Sequence, residues 1–142
     1  MGRLLGIDYG EARIGLALSD PNGIIASPIK AIPAKKGLKE TAQAIYAELS
    51  TLEPIEKIVI GLPLLLSGKE SPSSTKVREL AKYLEEIANL PIVLWDERLT
   101  TAQVERTLKE ANMSRKKRVR YIDAMAAGAI LQNYLDAQSF SI

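Results

Sequence analysis

Two rhythms of hydrophobic and polar positions divide the chain. Residues 3 to 8 carry the apolar run Leu4, Leu5 and Ile7, which predicts a short buried strand. From Arg13 to Ser19 the pattern alternates, with Ile14, Leu16 and Leu18 on one face and Gly15, Ala17 and Ser19 on the other. Asp20-Pro21-Asn22-Gly23 is a strong turn signal, since Pro presets φ and Asn-Gly tolerates positive φ. Ile24 to Ile32 predicts a third strand, with Pro28 marking a sheet edge or a bulge. These three segments read as an antiparallel meander.

Beyond them the period lengthens. Leu38, Ala42, Ile45, Leu49 and Leu52 recur at helical spacing. Lys57 to Gly61 predicts a buried strand, and 62–76 a connecting loop. Val77, Leu80, Ala81, Leu84 and Ile87 mark a second amphipathic helix, with Pro72 near its start and Pro91 after its end. Ile92 to Trp95 is another buried strand. Thr100 and Gln103 have the spacing of a capping box that would open a third helix. Tyr121 to about Asp136 predicts a fourth. The order β-β-β-α-β-α-β-α-α predicts an α/β domain of ribonuclease-H-like fold. Its mixed five-stranded sheet joins the three-strand antiparallel meander to parallel strands, with helices packed on it.

Composition narrows the chemistry. A length of 142 residues suits one domain over 1–142 with a single core. No apolar run approaches the ~20 residues that span a bilayer. The N-terminus lacks the basic, apolar and small-residue succession of a signal peptide, so a cytoplasmic protein is expected. There is no cysteine and no histidine. Disulfides, thiol nucleophiles, histidine bases and Cys or His metal sites are therefore excluded. The net charge is +2, yet five positive charges lie within residues 115–120, which leaves −3 for the rest. That distribution suits a local contact with a polyanion.

Three carboxylates fall at element ends. Asp8 ends the first strand, and Asp96 and Glu97 end the last. Alternation along a strand leaves open which of that pair faces a cleft. Asp123 shares a helical stripe with Ala126, Ala127 and Ile130, which should face the sheet. A carboxylate there needs a partner, because an unpaired buried charge is very costly. Acidic oxygens without histidine suit Mg²⁺ or Mn²⁺. Two such ions would serve phosphodiester hydrolysis, with 115–120 gripping a nucleic-acid backbone.

Each residue also has a plainer account. Asp8 would cap a turn, Asp123 would complement the first turn of a helix, Glu97 would pair with Arg98 or Arg13, and 115–120 would be a solvated loop. Two phosphate-loop patterns fail. Pro63 and Glu70 break GxxxxGK[ST], and Gly6, Gly10 and Gly15 are not spaced as GxGxxG.

The segments LGIDYGEARIGLALSD (5–20), IVIGLP (58–63), DERLTTAQVER (96–106), SRKKR (114–118) and IDAMAA (122–127) occur in that order. Together they resemble the YqgF/RuvX family, described as pre-16S rRNA nucleases and earlier as Holliday-junction resolvases. The resemblance implies a divalent-metal nuclease of the cytoplasm with Asp8, Glu97 and Asp123 as catalytic, metal-holding acids. It implies substrate contacts from Arg13, Arg98, Thr100, Thr101, Arg115, Lys116, Lys117 and Arg118, and a cleft shaped by Gly61 and Pro63. The chain departs from the family pattern at Ala12, Leu65 and Ser71.

Four functions follow for comparison. The first is a nuclease of structured RNA, expected to process the 5′ end of pre-16S ribosomal RNA, as a monomer or homodimer. The second is a resolvase of branched DNA, which would need a symmetric dimer presenting two sites. The third is a non-catalytic RNA-binding module of ribosome assembly. The fourth is an ATP-binding domain of the sugar-kinase and actin type, which GIDYG and a hairpin also open. It needs two domains, and 142 residues are too few.

Overall fold

The computed structural model describes residues 2–52, 54–99 and 115–139, with side chains for all of these but 99 and 115–121. Strands β1 (Arg3–Tyr9), β2 (Arg13–Ser19) and β3 (Ala26–Pro33) form the expected meander, followed by helix α1 (Leu38–Leu49). Strand β4 (Ile55–Leu62), helix α2 (Pro72–Ala88) and strand β5 (Ile92–Asp96) come next. A 3-10 turn (Glu97–Leu99) closes β5, and helix α3 spans Arg115–Ser139. The third helix expected from Thr100 and Gln103 lies outside the described residues.

The five strands run in the order β3-β2-β1-β4-β5. The pairs β1–β2 and β2–β3 are antiparallel, whereas β1–β4 and β4–β5 are parallel. This is the mixed sheet that the change of period predicts. Pro28 does what its missing N–H requires. It sits on the edge strand β3, beside a register shift between Leu16 and Ala17.

The apolar runs are nearly continuous because the central strands are covered on both faces. Leu5, Ile7, Ile14, Leu16, Ile58 and Ile60 point to one side, where they meet Ala42, Ile45, Val77, Leu80 and Leu84 of α1 and α2. Leu4, Ala17 and Val59 point to the other, against Ala126, Ala127, Ile130 and Leu131 of α3. The helix α3 lies close to the sheet. A Cβ on Gly6 would stand 2.7 Å from the Leu131 Cβ.

The starts of strands β3 and β4 and the end of α3 shift by two or three residues from expectation, and three further boundaries differ for a clear physical reason. The loop after β4 is shorter, because Ser71 caps α2. Its side chain accepts from the Ser74 N–H, and the Ser74 hydroxyl accepts from the Ser71 N–H. The helix therefore begins at Pro72. At its far end, α1 stops at Leu49 rather than Leu52, where the Ser50 and Thr51 hydroxyls donate to Tyr46 and Glu48 carbonyls. Finally, α3 begins at Arg115 and not at Tyr121. Its apolar period starts only at Ile122, but Arg and Lys are good helix formers and extend it backwards. The basic segment is helical rather than a loop, and Asp123 lies beyond the first turn, where a dipole-complementing role does not reach.

Candidate active site at the carboxyl ends of the parallel strands

The acids gather at one end of the sheet. Asp8 lies in the last turn of pleat of β1, two residues beyond Gly6 and hence on the same, α3-facing side. It is 4% exposed. Its antiparallel partner is Gly15. A Cβ at Gly15 would overlap the backbone carbonyl of Asp123, so this glycine is what lets α3 rest on β2 there. The third acid comes from the other flank. A Cβ at Gly61 would lie 2.8 Å from both Cγ and Oε1 of Glu97 and 2.6 Å from Cδ1 of Ile130. Glu97 thus folds back over β4 on the side covered by α3. Because Ile7 pairs with Ile60, Gly61 is next to Asp8 across the β1–β4 pair.

The alternation left open between Asp96 and Glu97 is resolved by this geometry. Trp95 packs on the α3 side, edge-on to Tyr134 with centroids 5.4 Å apart, and its Nε1 donates to Asn133. Glu97 returns to that side through the 3-10 turn. Asp96 turns instead to Arg98. Its carboxylate accepts from the Arg98 backbone N–H at 2.9 Å, from Nε at 3.0 and 3.1 Å, and from Nη2 at 2.7 Å. Arg98 holds the Asp96 carboxyl below its ordinary range.

The cations fare differently from one another. Arg13 Nε donates to Asp123 Oδ2 at 2.8 Å, joining β2 to α3 across 110 positions. Arg98 is engaged by Asp96 and, through Nη1, by the Leu66 carbonyl at 3.1 Å. Thr100 and Thr101 lie outside the described residues. The backbone of Arg115, Lys116, Lys117 and Arg118 forms the first turn of α3, and their side chains lie outside those described. Pro63 sits at the rim, where its carbonyl accepts from the Ser71 hydroxyl at 2.5 Å.

Two further ion pairs brace this rim. Glu11 of the β1–β2 turn meets Lys76 of α2 at 2.6 Å, and Glu70 meets Arg78 at 2.7 and 3.0 Å. The lysine and the arginine hold their carboxyls below the ordinary range. Both pairs are largely exposed and contribute little to stability.

Among the described residues, no three acidic side chains come close enough to enclose an ion, since Asp123 is drawn to Arg13. The donor chemistry nevertheless suits a hard cation. Asp8 and Glu97 place carboxylate oxygens over neighbouring strands, and the chain has no histidine or cysteine to compete. Gly15 as the clearing that admits Asp123 was missed by sequence reasoning, and the resemblance that placed Gly61 in the cleft did not show that it makes room for Glu97. The alternation of small residues Gly15, Ala17 and Ser19 on one face was the available sign of a close-packed helix.

Residues 2–137 match the family described as "RuvX: Holliday junction resolvase". A protein of Protochlamydia amoebophila is 44% identical over 141 residues, covering 96% of this chain and 94% of its own. One from Clostridium kluyveri is 45% identical over 134 residues, covering 94% and 96%. Both carry the name "Putative pre-16S rRNA nuclease". Among solved structures, Thermus thermophilus RuvC in complex with a Holliday-junction substrate superposes with a TM-score of 0.57. It is 14% identical, and the match covers 99% of this chain and 98% of that one. That likeness establishes the ribonuclease-H-like fold.

Proposed function

The chain belongs to the RuvX family, and from that membership we propose that it is a divalent-metal-dependent nuclease of structured RNA, processing the 5′ end of pre-16S ribosomal RNA in the cytoplasm. The observation that carries this reading is the placement of Asp8, Glu97 and Asp123 on one face at one end of the sheet. In open α/β sheets, sites form outside the carboxyl ends of the parallel strands. No helix among the described residues is long and apolar enough to cross a membrane.

In this reading Asp8 at the end of β1 and Glu97 in the 3-10 turn would hold Mg²⁺ or Mn²⁺, with Asp123 free to join them on leaving Arg13. A divalent ion bound there would supply charge stabilisation for phosphodiester hydrolysis and a more nucleophilic water. The chain's own residues position the rest. Arg13 keeps Asp123 at the site's edge and then faces the substrate. The basic turn of α3 meets the RNA backbone, together with Thr100 and Thr101. The names carried by the relatives favour ribosomal RNA over branched DNA.

The test is cleavage of a labelled pre-16S RNA and, separately, a four-way DNA junction by wild type and Asp8→Asn, prepared identically with Mn²⁺ or Mg²⁺. We expect metal-dependent RNA cutting that Asp8→Asn lowers at least about 100-fold, with RNA binding retained. Undiminished cutting by the variant overturns the reading. Paired nicks in the junction alone would move the substrate to branched DNA.

A further inference from the structure

Arg98 stands one residue from a proposed catalytic acid, and its guanidinium is engaged by Asp96 and by the loop after β4. Nε and Nη2 grip Asp96 in a two-pronged contact at 2.7–3.1 Å, the Arg98 backbone N–H caps the same carboxylate at 2.9 Å, and Nη1 reaches the Leu66 carbonyl at 3.1 Å. A planar guanidinium matched to a carboxylate in this way gains geometry as well as energy. Each of its three nitrogens has a partner, and Asp96 neutralises its charge. A phosphate would have to displace that carboxylate to reach it.

The far end of the contact is a compact turn. In the loop 63–71, the Leu65 N–H donates to the Lys69 carbonyl at 2.9 Å and the Gly68 N–H to the Leu65 carbonyl at 2.8 Å. Gly68 has φ +90°, where a side chain is strained, and a Cβ there would stand 3.3 Å from Arg98 Nη1. The loop is pinned at its other end by Ser71 on the Pro63 carbonyl and by Glu70 on Arg78. Its tip carries Leu66, 94% exposed.

We propose that Asp96, Arg98 and the Leu66 carbonyl form a clamp that positions Glu97 over Gly61 and ties the 63–71 loop to it. Arg98 is then a positioning residue rather than a substrate contact. Glu97 lies between the two clamp residues, so the 3-10 turn that aims its carboxylate back over β4 is set by a link on either side of it. The loop and Glu97 move as one unit, so a substrate that presses on the loop also acts on the acid. This inference rests on the metal-nuclease reading above.

The experiment measures Mn²⁺ affinity of the full chain without RNA, by calorimetry and by the electron-spin signal of free Mn²⁺. Melting temperature is recorded in parallel. Outer partners that orient metal ligands typically change affinity 10- to 100-fold. Arg98→Ala is expected to weaken Mn²⁺ binding about 10-fold. Arg98→Lys, which keeps charge without the fork, recovers only part. Gly68→Ala, which changes no ionisable group, should weaken binding in the same direction by straining the loop against Arg98.

If Arg98→Ala is folded and binds Mn²⁺ as wild type does, yet loses RNA affinity in Ca²⁺, the clamp is overturned and Arg98 is a substrate contact. If Arg98→Ala fails to fold, Arg98→Lys and Asp96→Asn decide, and wild-type affinity in both overturns the clamp. Asp8→Asn separates the two levels. Mn²⁺ binding lost in Asp8→Asn but intact in Arg98→Ala ends the clamp alone. Wild type that binds no Mn²⁺ ends both.

Discussion

Two glycines decide where two of the three acids sit, and they do so by different means. At Gly15 the obstacle to a side chain is backbone, the carbonyl of Asp123 on α3. Backbone cannot swing aside, so Gly15→Ala must lift the helix from the sheet. A loss of about 3 kcal/mol or more is expected, at the upper end of overpacking costs. At Gly61 the obstacles are side-chain atoms, Ile130 Cδ1 at 2.6 Å and Glu97 at 2.8 Å. Those atoms can give way, so Gly61→Ala should lose only about 1–2 kcal/mol. The displaced group is Glu97 itself, so cleavage should fall far more than stability. Urea denaturation and single-turnover cleavage, run on both variants, separate the effects. Gly61→Ala retaining full cleavage would show that Glu97 need not rest there. From the amino-acid sequence, Asp8 was legible because an apolar run ends on it. The Gly15 clearing was not, since it lies on β2 and the acid it admits lies on α3, and Gly61 was legible only through the family resemblance, which did not show what it makes room for. The Arg13–Asp123 pair was equally hidden, 110 positions apart, although both residues were candidates.

Elements repeat the distinction between local and distant signals. The β2–β3 hairpin was legible from Asp20-Pro21-Asn22-Gly23 because its chemistry is local. Asp20 Oδ1 accepts from the N–H groups of Ile24 at 2.7 Å and Ile25 at 2.8 Å, and Gly23 adopts φ +69°. The Ile25 and Ile24 N–H groups hold the Asp20 carboxyl below its ordinary range. A depressed carboxyl stabilises the fold at pH values above its unfolded value of about 3.9, and this contribution fades as pH falls through the lower folded value. Asp20→Asn keeps an oxygen acceptor but does not titrate. Its denaturation midpoint should therefore follow wild type less steeply as pH falls below about 4. Parallel curves for the two proteins would mean that the Asp20 contacts do not discriminate charge. By contrast, α3 was legible only from Ile122 onward, where its apolar face begins. The preceding basic turns have no face to bury, so periodicity was silent on them while helix propensity carried the helix back to Arg115. The 3-10 turn at Glu97 was hidden too, because the Asp96–Arg98 contact and the Leu66 carbonyl hold it rather than any periodic pattern.

At the scale of the whole molecule, the fold sorts charge that the sequence merely concentrates. Asp123 lies over Gly15 at the acid-bearing end of the sheet, and α3 runs from there toward Leu131 over Gly6. Its first turns therefore project past the strand ends. At 1.5 Å per residue, residues 115–120 extend roughly 5–12 Å beyond Asp123. The backbone of the segment bearing five positive charges thus begins α3 beyond the acid-bearing end of the sheet, on a body that sums to −3 without them. Such a body repels a polyanion, so RNA should be drawn to that end and held there by counterion release. Each phosphate contact contributes about 0.7–0.9 to the slope of log affinity against log salt. Replacing Lys116 and Lys117 by Gln, which keeps helix propensity, should lower that slope by roughly 1–2 and weaken RNA of every sequence alike. Binding is measured in Ca²⁺ between about 50 and 200 mM salt, the range over which such contacts dominate. An unchanged slope would mean that the backbone is gripped elsewhere. A reduced slope with unchanged single-turnover cleavage at saturating RNA would assign the basic turn to capture alone and leave the chemistry to the acids.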